Sequence, residues 1–395
     1  MSSSPQSGTR ILRLGIAGLG RGFAVMLPTF MRDPRVKLVA AADPRAEARQ
    51  RFTADFGGNT YGTVAALCRD PDVEVVYVAS PHQHHAEQTC LAAAAGKHVL
   101  VEKPMTLTLA DAEGMIAAAR SAGVHLIVGH SHSFDAPISH TRELIASGAY
   151  GAVRMITALN YTDFLYRPRR PEELDTTKGG GALFNQAPHQ VDVVRLLSCG
   201  LVRSVRAMAG AWDPARPTEG AYSALFTLEN GAFASLNYNG YGHFDSDELM
   251  GWIGEMGQQK SGSTRTRAHF DDAASEAATK AARNYGGPGW QPSQPQDLLH
   301  QHFGPVIVSC ERADLRPLPS GVVIYENGTA RLDALAKPGI PRIEVIDELY
   351  DAVVHGRQPL HDGAWGMATL EVCLAMLQSV REGREIALKH QVPAR

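Results

Sequence analysis

The chain has 395 residues, of which 44% are hydrophobic and 20% are charged, and its formal net charge at pH 7 is −3. This length exceeds the roughly 250–300 residues at which one hydrophobic core stops growing, so two domains are expected. The nearly balanced charge gives no reason to expect a nucleic-acid partner, and the apolar runs are far shorter than the ~20 residues of a membrane-spanning helix. Five cysteines without a CxxC pair and a polar N-terminus predict a reducing, cytoplasmic location.

The first third of the chain alternates short apolar runs with helical stretches. The runs predict buried strands at 11–17, 36–43, 73–79, 98–103 and 124–130. Strands that alternate with helices of this length are typical of a doubly wound parallel sheet with right-handed crossovers. We therefore predict an α/β chain whose residues 1–133 form a Rossmann domain.

A glycine-rich turn follows the first predicted strand. Gly18-Leu19-Gly20 stands where the backbone must approach a pyrophosphate at a helix N-terminus. The full G-x-G-x-x-G pattern would place a glycine at position 23, but the chain has Phe23, and Gly22 comes one position early. The candidate cofactor residues of this turn are Gly18, Gly20, Arg21, Gly22 and Phe23.

Asp43 closes the second predicted strand, about 20 residues after the glycines, where a carboxylate can bind the ribose hydroxyls of the adenosine. This carboxylate favours NAD because it repels the 2′-phosphate of NADP. Arg45 and Arg49 follow closely and leave NADP open as an alternative.

Beyond about Phe134 the strand-like segments come in clusters. They lie at 153–161, 204–212, 222–230, 232–240, 249–257 and 304–312. Glu229-Asn230-Gly231 joins two β-rich runs and predicts a hairpin turn. We predict that residues 134–395 form an α+β domain with a large, mostly antiparallel sheet, one face of which is open. An open apolar face needs a partner, so this domain should bind substrate and also form a homodimer or homotetramer.

Three further segments complete this half of the chain. The polar stretch 258–301 predicts an insertion or a lid, because long polar loops are often functional. Two amphipathic helices, Ile346–His355 and Gly366–Glu382, close the chain.

Three motifs carry a resemblance to a known family. Ala79-Ser80-Pro81-His82 is followed by His85, then by GKHVLVEKP at 96–104, and later by GGGALFNQAPHQVD at 179–192. In kind and spacing these motifs resemble those of the glucose–fructose oxidoreductase / inositol dehydrogenase / MocA family. The resemblance implies NAD(P)-dependent oxidation of a secondary alcohol, or the reverse reduction.

The resemblance also implies roles for individual residues. Lys103 would hydrogen-bond the reacting oxygen and the nicotinamide ribose, and His189 would act as acid or base. Glu102 and Pro104 would shape the turn around Lys103, often with a cis peptide before the proline. The nicotinamide side would be lined by Ser80, Pro81, His82 and His85.

The chain departs from the family pattern at Asn185, where an aspartate is usual, at Ala187, where a glycine is usual, and at 130–133, where an aromatic residue, Asn and Arg are common. Asn185 is a candidate catalytic residue that can orient a partner but cannot hold a negative charge, which puts the usual proton relay in doubt. His82, His84, His85, His130 and His132 could supply metal ligands. No acidic residue accompanies them at ligand spacing, so no metal is predicted.

Arg167, Arg169 and Arg170 form a basic loop before the second glycine-rich motif. The loop predicts either a clamp for a substrate carboxylate or a solvated surface neutralised by Glu172 and Glu173.

The segments at 131–138 and 184–192 resemble the 4,5-dihydroxyphthalate dehydrogenase branch of the family, which oxidises a cis-dihydrodiol bearing two carboxylates. A small-molecule dihydrodiol carboxylate is therefore the predicted substrate, such as 4,5-dihydro-4,5-dihydroxyphthalate. A sugar or inositol dehydrogenase is the alternative within the class, and a non-catalytic NAD(P)-binding sensor or structural protein is the alternative outside it.

Overall fold

The computed structural model of the chain describes residues 10–129, 131–199, 201–262, 267–291 and 297–394. Its first sheet has six parallel strands in the order β3-β2-β1-β4-β5-β6. The strands are β1 (Leu12–Ala17), β2 (Val36–Ala42), β3 (Asn59–Tyr61), β4 (Val75–Val78), β5 (His98–Val101) and β6 (Leu126–Val128). This sheet confirms the predicted Rossmann fold.

Five helices connect these strands. They are α1 (Arg21–Arg32), α2 (Ala46–Phe56), α3 (Val64–Cys68), α4 (His85–Ala94) and α5 (Leu109–Ala122). The sequence marks their ends: Thr108 caps α5 by accepting a hydrogen bond from the Asp111 N–H, and Gly123 ends it in the left-handed conformation.

The second sheet has nine strands in the order β14-β13-β12-β11-β7-β10-β9-β8-β15. Its strands are β7 (Val153–Tyr161), β8 (Val202–Gly210), β9 (Ala221–Leu228), β10 (Phe233–Asn239), β11 (Val306–Cys310), β12 (Asp314–Leu318), β13 (Gly321–Glu326), β14 (Thr329–Ala334) and β15 (Ile386–Ala387). All neighbours are antiparallel except β7 and β10, so the mostly antiparallel sheet is confirmed. The hairpin around Gly231 joins β9 to β10 as predicted.

One predicted strand is wrong and five strands are additional. Residues 249–257 form no named strand: a 3₁₀ helix spans Ser246–Met250, and the glycines at 251, 254 and 257 interrupt the β alternation that followed it in the sequence pattern. Strands β12, β13 and β14 extend the second sheet beyond β11, β15 forms its other edge, and β3 forms one edge of the first sheet.

Helices of the second half cover both sheets. They are α6 (Ala136–Ala146), α7 (Gly181–Asn185), α8 (Ala187–Leu197), α9 (Ala273–Ala282), α10 (Ile343–His355) and α11 (Gly363–Glu382). Buried residues of α6, α8 and α11 pack on the inner face of the second sheet. On the first sheet, α1, α2 and α10 cover one face, and α3, α4 and α5 cover the other. The chain thus returns from beyond residue 340 to complete its first core, and the division at 133/134 stays a proposal.

The outer face of the second sheet is apolar in part. Met208, Leu225 and Phe233 on β8, β9 and β10 are 70%, 56% and 48% exposed. Among the described residues, no helix has the length and apolar character needed to cross a membrane.

Candidate active site

The glycine turn between β1 and α1 makes room in front of a helix N-terminus. Gly18 has φ +98°, and a Cβ there would lie 2.9 Å from the Cα of Ser80. Gly20 precedes α1 without a side-chain cap, and a Cβ there would meet no atom nearer than 3.9 Å. The first N–H groups of α1 therefore face a space that fits a pyrophosphate. Arg21, the first residue of α1, is exposed beside it.

Asp43 lies at the end of β2 as predicted, but its carboxylate is buried and engaged. It accepts hydrogen bonds from the Leu19 N–H (2.8 Å) and from Arg45 Nε (3.0 Å), so it joins the glycine turn to α2. Arg49 donates to the backbone oxygens of Asp43 and Pro44. Both arginines are already paired with groups of this loop, which weakens the NADP alternative.

The side chain of Phe23 belongs to the core, so only its backbone in the first turn of α1 is left for the predicted cofactor contact. Its side chain is fully buried, 5.1 Å from the ring of Tyr285 and 6.3 Å from that of Phe52. Gly22 is also packed from within, because a Cβ there would lie 3.3 Å from the Cβ of Ala79. Phe23, which stands where the G-x-G-x-x-G pattern has a glycine, thus packs against an aromatic residue of the inserted segment 258–301.

That inserted segment includes the predicted lid at 258–301, of which 263–266 and 292–296 lie outside the described residues. Tyr285 packs among Phe23, Phe56 and Trp290, and its hydroxyl donates to Asp55 (2.7 Å). Its described part is therefore docked against the first domain.

Lys103 lies just after the end of β5, near the glycine turn between β1 and α1. Its Nζ donates to the backbone oxygen of Asn185 at 2.7 Å, and burial lowers its pKa below the lysine value of 10.5. Glu102 accepts a hydrogen bond from the hydroxyl of Tyr77, and the Lys103–Pro104 peptide is cis, as the family resemblance implied. β5 and α7 together hold the amine at the meeting point of the two domains.

The two histidines predicted in the loop after β4, His82 and His85, have different environments. His85 is fully buried, with Nδ1 3.0 Å from the Pro104 oxygen and Nε2 2.9 Å from the Ser80 oxygen, so its ring braces two loops rather than facing a ligand. His82 is partly exposed, and burial, followed by the nearby His85 and Lys103, lowers its pKa to about 3. The Ser80 hydroxyl donates to Gln88, and Pro81 precedes His82 in extended conformation.

Asn185 contacts Lys103 through its backbone, and its role as a catalytic residue stays a prediction. Its amide donates to the backbone oxygens of Gly179 (3.2 Å) and Gly181 (2.8 Å), whereas its own backbone oxygen holds Lys103. His189 is buried one turn further on in α8, with its ring 4.7 Å from that of Phe303.

A second histidine, which sequence reasoning considered only as a metal ligand, lies beside His189. The rings of His132 and His189 are 4.8 Å apart. His132 Nδ1 lies 2.6 Å from Asp135 Oδ2, and its Nε2 lies 3.6 Å from Glu255 Oε1. Burial alone would lower the pKa of His132, but these carboxylates outweigh it and raise the pKa to about 9. The departure from the family pattern at 130–133 was the sequence signal that could have pointed to His132. Its contact with Glu255 could not be predicted, because the two residues are far apart in the sequence.

Each of the three arginines of the basic loop lies beside an acidic side chain, and for Arg169 and Arg170 these are the glutamates that the alternative of a neutralised loop named. Arg167 Nε lies 3.0 Å from Asp163 Oδ1, and Arg170 Nε lies 3.2 Å from Glu172 Oε1 and 3.4 Å from Glu173 Oε2.

Arg167 and Arg169 also contact residues outside the basic loop. Arg167 Nη1 lies 4.0 Å from Glu255, which also faces His132. Arg169 stacks on Phe164 at 3.7 Å, and its buried Nε has no hydrogen-bond partner among the described residues. A buried N–H of this kind is one that a ligand oxygen would satisfy.

His130 lies outside the described residues. Across the rest of the chain that the structure describes, His, Cys, Asp and Glu side chains do not gather in any group of three that could hold a metal ion.

Comparisons with known proteins agree on the family. A model described as "Oxidoreductase family, NAD-binding Rossmann fold" (GFO_IDH_MocA) matches residues 12–130, and the GFO/IDH/MocA C-terminal domain matches 138–258. The first match confirms the predicted cofactor class, NAD.

One curated relative and two solved structures add detail. The chain is 50% identical to the 1-carboxy-3-chloro-3,4-dihydroxycyclohexa-1,5-diene dehydrogenase of Comamonas testosteroni, over 93% of this chain and 94% of the relative. A crystal structure from Bordetella bronchiseptica RB50, described as a dehydrogenase, has a TM-score of 0.89 and 42% identity and covers 96% of this chain and 100% of its own. The WlbA dehydrogenase of Bordetella pertussis, solved with NADH and UDP-GlcNAcA, shares the fold at 22% identity, a TM-score of 0.66 and coverages of 96% and 99%.

Proposed function

The chain belongs to the GFO/IDH/MocA family of NAD-binding oxidoreductases, and on that premise we propose that it oxidises a cyclohexadiene diol that carries a carboxylate. The observation that carries this proposal is the 50% identity, over nearly the whole chain, to a relative named for a carboxylated dihydroxycyclohexadiene. A phthalate dihydrodiol, with two carboxylates, is one member of this class. The wider class, an NAD-binding oxidoreductase, is that of the family, and the relative from Comamonas testosteroni is named a dehydrogenase.

In the proposed mechanism Lys103 takes the hydroxyl proton. When bound, NAD⁺ would supply the hydride acceptor, and its pyrophosphate would lie in the space that Gly18 and Gly20 leave before α1. The Asn185 oxygen accepts one N–H of the Lys103 amine, which leaves the nitrogen lone pair for the alcohol. Burial favours this neutral amine because desolvation penalises the ammonium form. His189 would contact the same diol from α8 and orient the second hydroxyl.

The carboxylate of the substrate would lie beside Arg167 and Arg169. These guanidinium groups face Glu255 and Phe164 within the site, whereas Arg170 is paired with two glutamates at the surface. Guanidinium forks match carboxylates in bidentate geometry, and the unpartnered Nε of Arg169 supplies one donor.

Steady-state kinetics with matched substrates test the proposal. A dihydrodiol carboxylate, the same diol without its carboxylates, and myo-inositol are compared by NADH absorbance. Arg167→Gln and Arg169→Gln should each raise KM for the carboxylated diol about ten- to a hundredfold, the range for a lost charged hydrogen bond. Arg170→Gln is the control and should change KM little. Equal use of the neutral and carboxylated diols by the wild type would reject the carboxylate contact, and a preference for inositol would replace it with the polyol function.

A further inference from the structure

Arg169 is a buried arginine whose guanidinium donors are only partly used. Its side chain is 10% exposed, and its Nη2 donates to the backbone oxygen of Phe164 at 2.6 Å. Its Nη1 lies 3.9 Å from Glu173 Oε1, beyond hydrogen-bond distance, and its Nε has no hydrogen-bond partner among the described residues. Besides burial, the charge of Arg169 lowers the pKa of Lys103, so the guanidinium acts on the proposed base. A buried cation with an unused donor suits an anionic ligand.

The backbone that carries Arg169 belongs to no helix or strand. It lies between two 3₁₀ helices, Phe164–Tyr166 and Pro171–Leu174, so no repeating backbone hydrogen bonds fix it. The Arg169 N–H instead donates to Oε1 of Glu276 at 2.7 Å. Glu276 is buried and lies 107 positions later, in helix α9 of the inserted segment. The insertion therefore supplies the hydrogen bond that holds this arginine in the basic loop.

Glu276 is itself held by a second arginine. The same Oε1 accepts a hydrogen bond from Nη1 of the buried Arg216 at 2.5 Å. One helical turn later, Lys280 binds Glu173, which accepts a hydrogen bond from the Arg170 N–H at 2.8 Å. Helix α9 thus contacts the basic loop and the 3₁₀ helix that follows it at two points, one turn apart.

The inserted segment is also fixed just after α9. Tyr285 packs its ring 5.1 Å from that of Phe23, and its hydroxyl donates to Asp55. The position of α9 relative to the basic loop is therefore set from both domains. The match to the family's C-terminal domain ends at residue 258, so Glu276 lies beyond it.

We propose that Glu276 determines substrate specificity by positioning Arg169, whose guanidinium meets the carboxylate of the substrate. The inference rests on the proposed function, which supplies that carboxylate. Bidentate pairing of guanidinium and carboxylate depends on their relative placement, so a shift of the Arg169 backbone weakens it. A neutral diol has no such contact to lose. Glu276 thereby favours carboxylated substrates although it touches neither the substrate nor the reacting atoms.

Steady-state kinetics with the carboxylated and neutral diols test this role. Glu276→Ala removes the acceptor and should raise KM for the carboxylated diol about tenfold, while kcat and the KM for the neutral diol change little. Glu276→Gln keeps Oε1, the atom that accepts both hydrogen bonds, and should restore most of the wild-type KM. Thr279→Val is the control on the same helix, because that hydroxyl donates to the Ser275 oxygen within α9.

A double variant tests whether Glu276 acts through Arg169. If it does, Glu276→Ala should raise KM no further once Arg169→Gln is present, because the two changes remove one contact. Additive increases, or equal increases for the carboxylated and neutral diols, overturn the inference. A Glu276→Ala variant that keeps the wild-type preference overturns the inference alone and leaves the proposed function standing. A wild type without that preference rejects the proposed function and the inference with it.

Hydrogen exchange measures the positioning contact without catalysis. In full-length protein labelled with ¹⁵N-arginine, the Arg169 amide should exchange at least tenfold faster in Glu276→Ala than in the wild type or Glu276→Gln. The Arg195 amide, within α8, should exchange alike in all three proteins and so reports that the fold is intact. If the alanine variant does not fold, Glu276→Asp, whose carboxylate is one methylene shorter, takes its place with the same expected result. An Arg169 amide that exchanges equally fast in every folded variant overturns the inference.

Discussion

At the scale of single residues, the chemistry of Lys103 depends on where its strand ends. A lysine on a surface strand would be a solvated ammonium, but here burial lowers its pKa and a backbone oxygen fixes its nitrogen. Lys103→Met should lower kcat by about 10²–10⁴, with a much smaller change in the Kd for NAD, because positioned acid–base groups contribute that much.

The role of Lys103 as a base also predicts how kcat depends on pH. Oxidation needs the neutral amine, so kcat should rise with pH along a limb whose pKa is below 10.5, and this limb should vanish in Lys103→Met. Lys178→Met is the control, since that exposed side chain pairs only with Asp175 among the described residues. A near-wild-type kcat in Lys103→Met would remove the lysine from the mechanism.

His132 supports a prediction about stability. Its folded-state pKa of about 9 exceeds the unfolded value of 6.5, so the stabilisation from its pairing with Asp135 is fully present below pH 6.5 and is lost as the pH rises through 9. Urea unfolding should therefore show a larger loss for Asp135→Asn at pH 6 than at pH 10. Asp333→Asn removes the partner of the more exposed His140 and should have a small effect at both values. A pH-independent loss in Asp135→Asn would contradict the raised pKa.

At the scale of elements, the insertion is part of the first domain's packing. Tyr285 is fully buried against residues of α1 and α2, although it comes some 230 positions after them. Tyr285→Ala should lower the free energy of unfolding by about 3–5 kcal/mol, the usual cost of deleting a buried aromatic ring. Tyr285→Phe keeps the ring and loses the hydrogen bond to Asp55, so it should cost about 1 kcal/mol. Thermal or urea denaturation measures both, and a neutral Tyr285→Ala would indicate a segment that opens as a lid.

The sequence predicts elements well where burial controls the residue pattern. The parallel strands are covered on both faces, so they appear as continuous apolar runs, and β1, β2 and β4 lie within the predicted runs. Two strands that the sequence did not predict are different: the edge strand β14 (TARLDA) is mostly exposed and β12 contains Pro317, so neither shows a clear apolar pattern.

The site was predictable only where its residues share a motif. Lys103, the glycine turn and His189 lie in local patterns that the sequence displays. The side chains that surround these residues come from distant segments. Ser133 contacts His361, which lies 228 positions later in the chain, and Glu255, which faces His132, belongs to the segment 249–257 that was wrongly predicted as a strand. No local spacing reports such contacts, because they depend on how the two sheets are joined.

At the scale of the whole molecule, the open face of the second sheet predicts self-association. Met208, Leu225 and Phe233 expose apolar area on neighbouring strands, which a monomer would leave in water. We expect a dimer or tetramer by light scattering at micromolar concentration, and Leu225→Glu should shift it towards the monomer. Met31→Glu changes an equally exposed side chain on the first domain and is the control. A monomeric wild type would refute this prediction.

The position of α10 also bears on how the protein is made. Val345, Ile346 and Leu349 are buried in the first core, beside strands that the ribosome completes more than 200 residues earlier. Until the segment Ile343–His355 emerges, the nascent chain lacks the helix that closes one face of its first sheet. Translation therefore proceeds for half the polypeptide with that apolar surface uncovered, and we expect chaperones that shelter hydrophobic segments to hold the unfinished chain until its last 50 residues arrive.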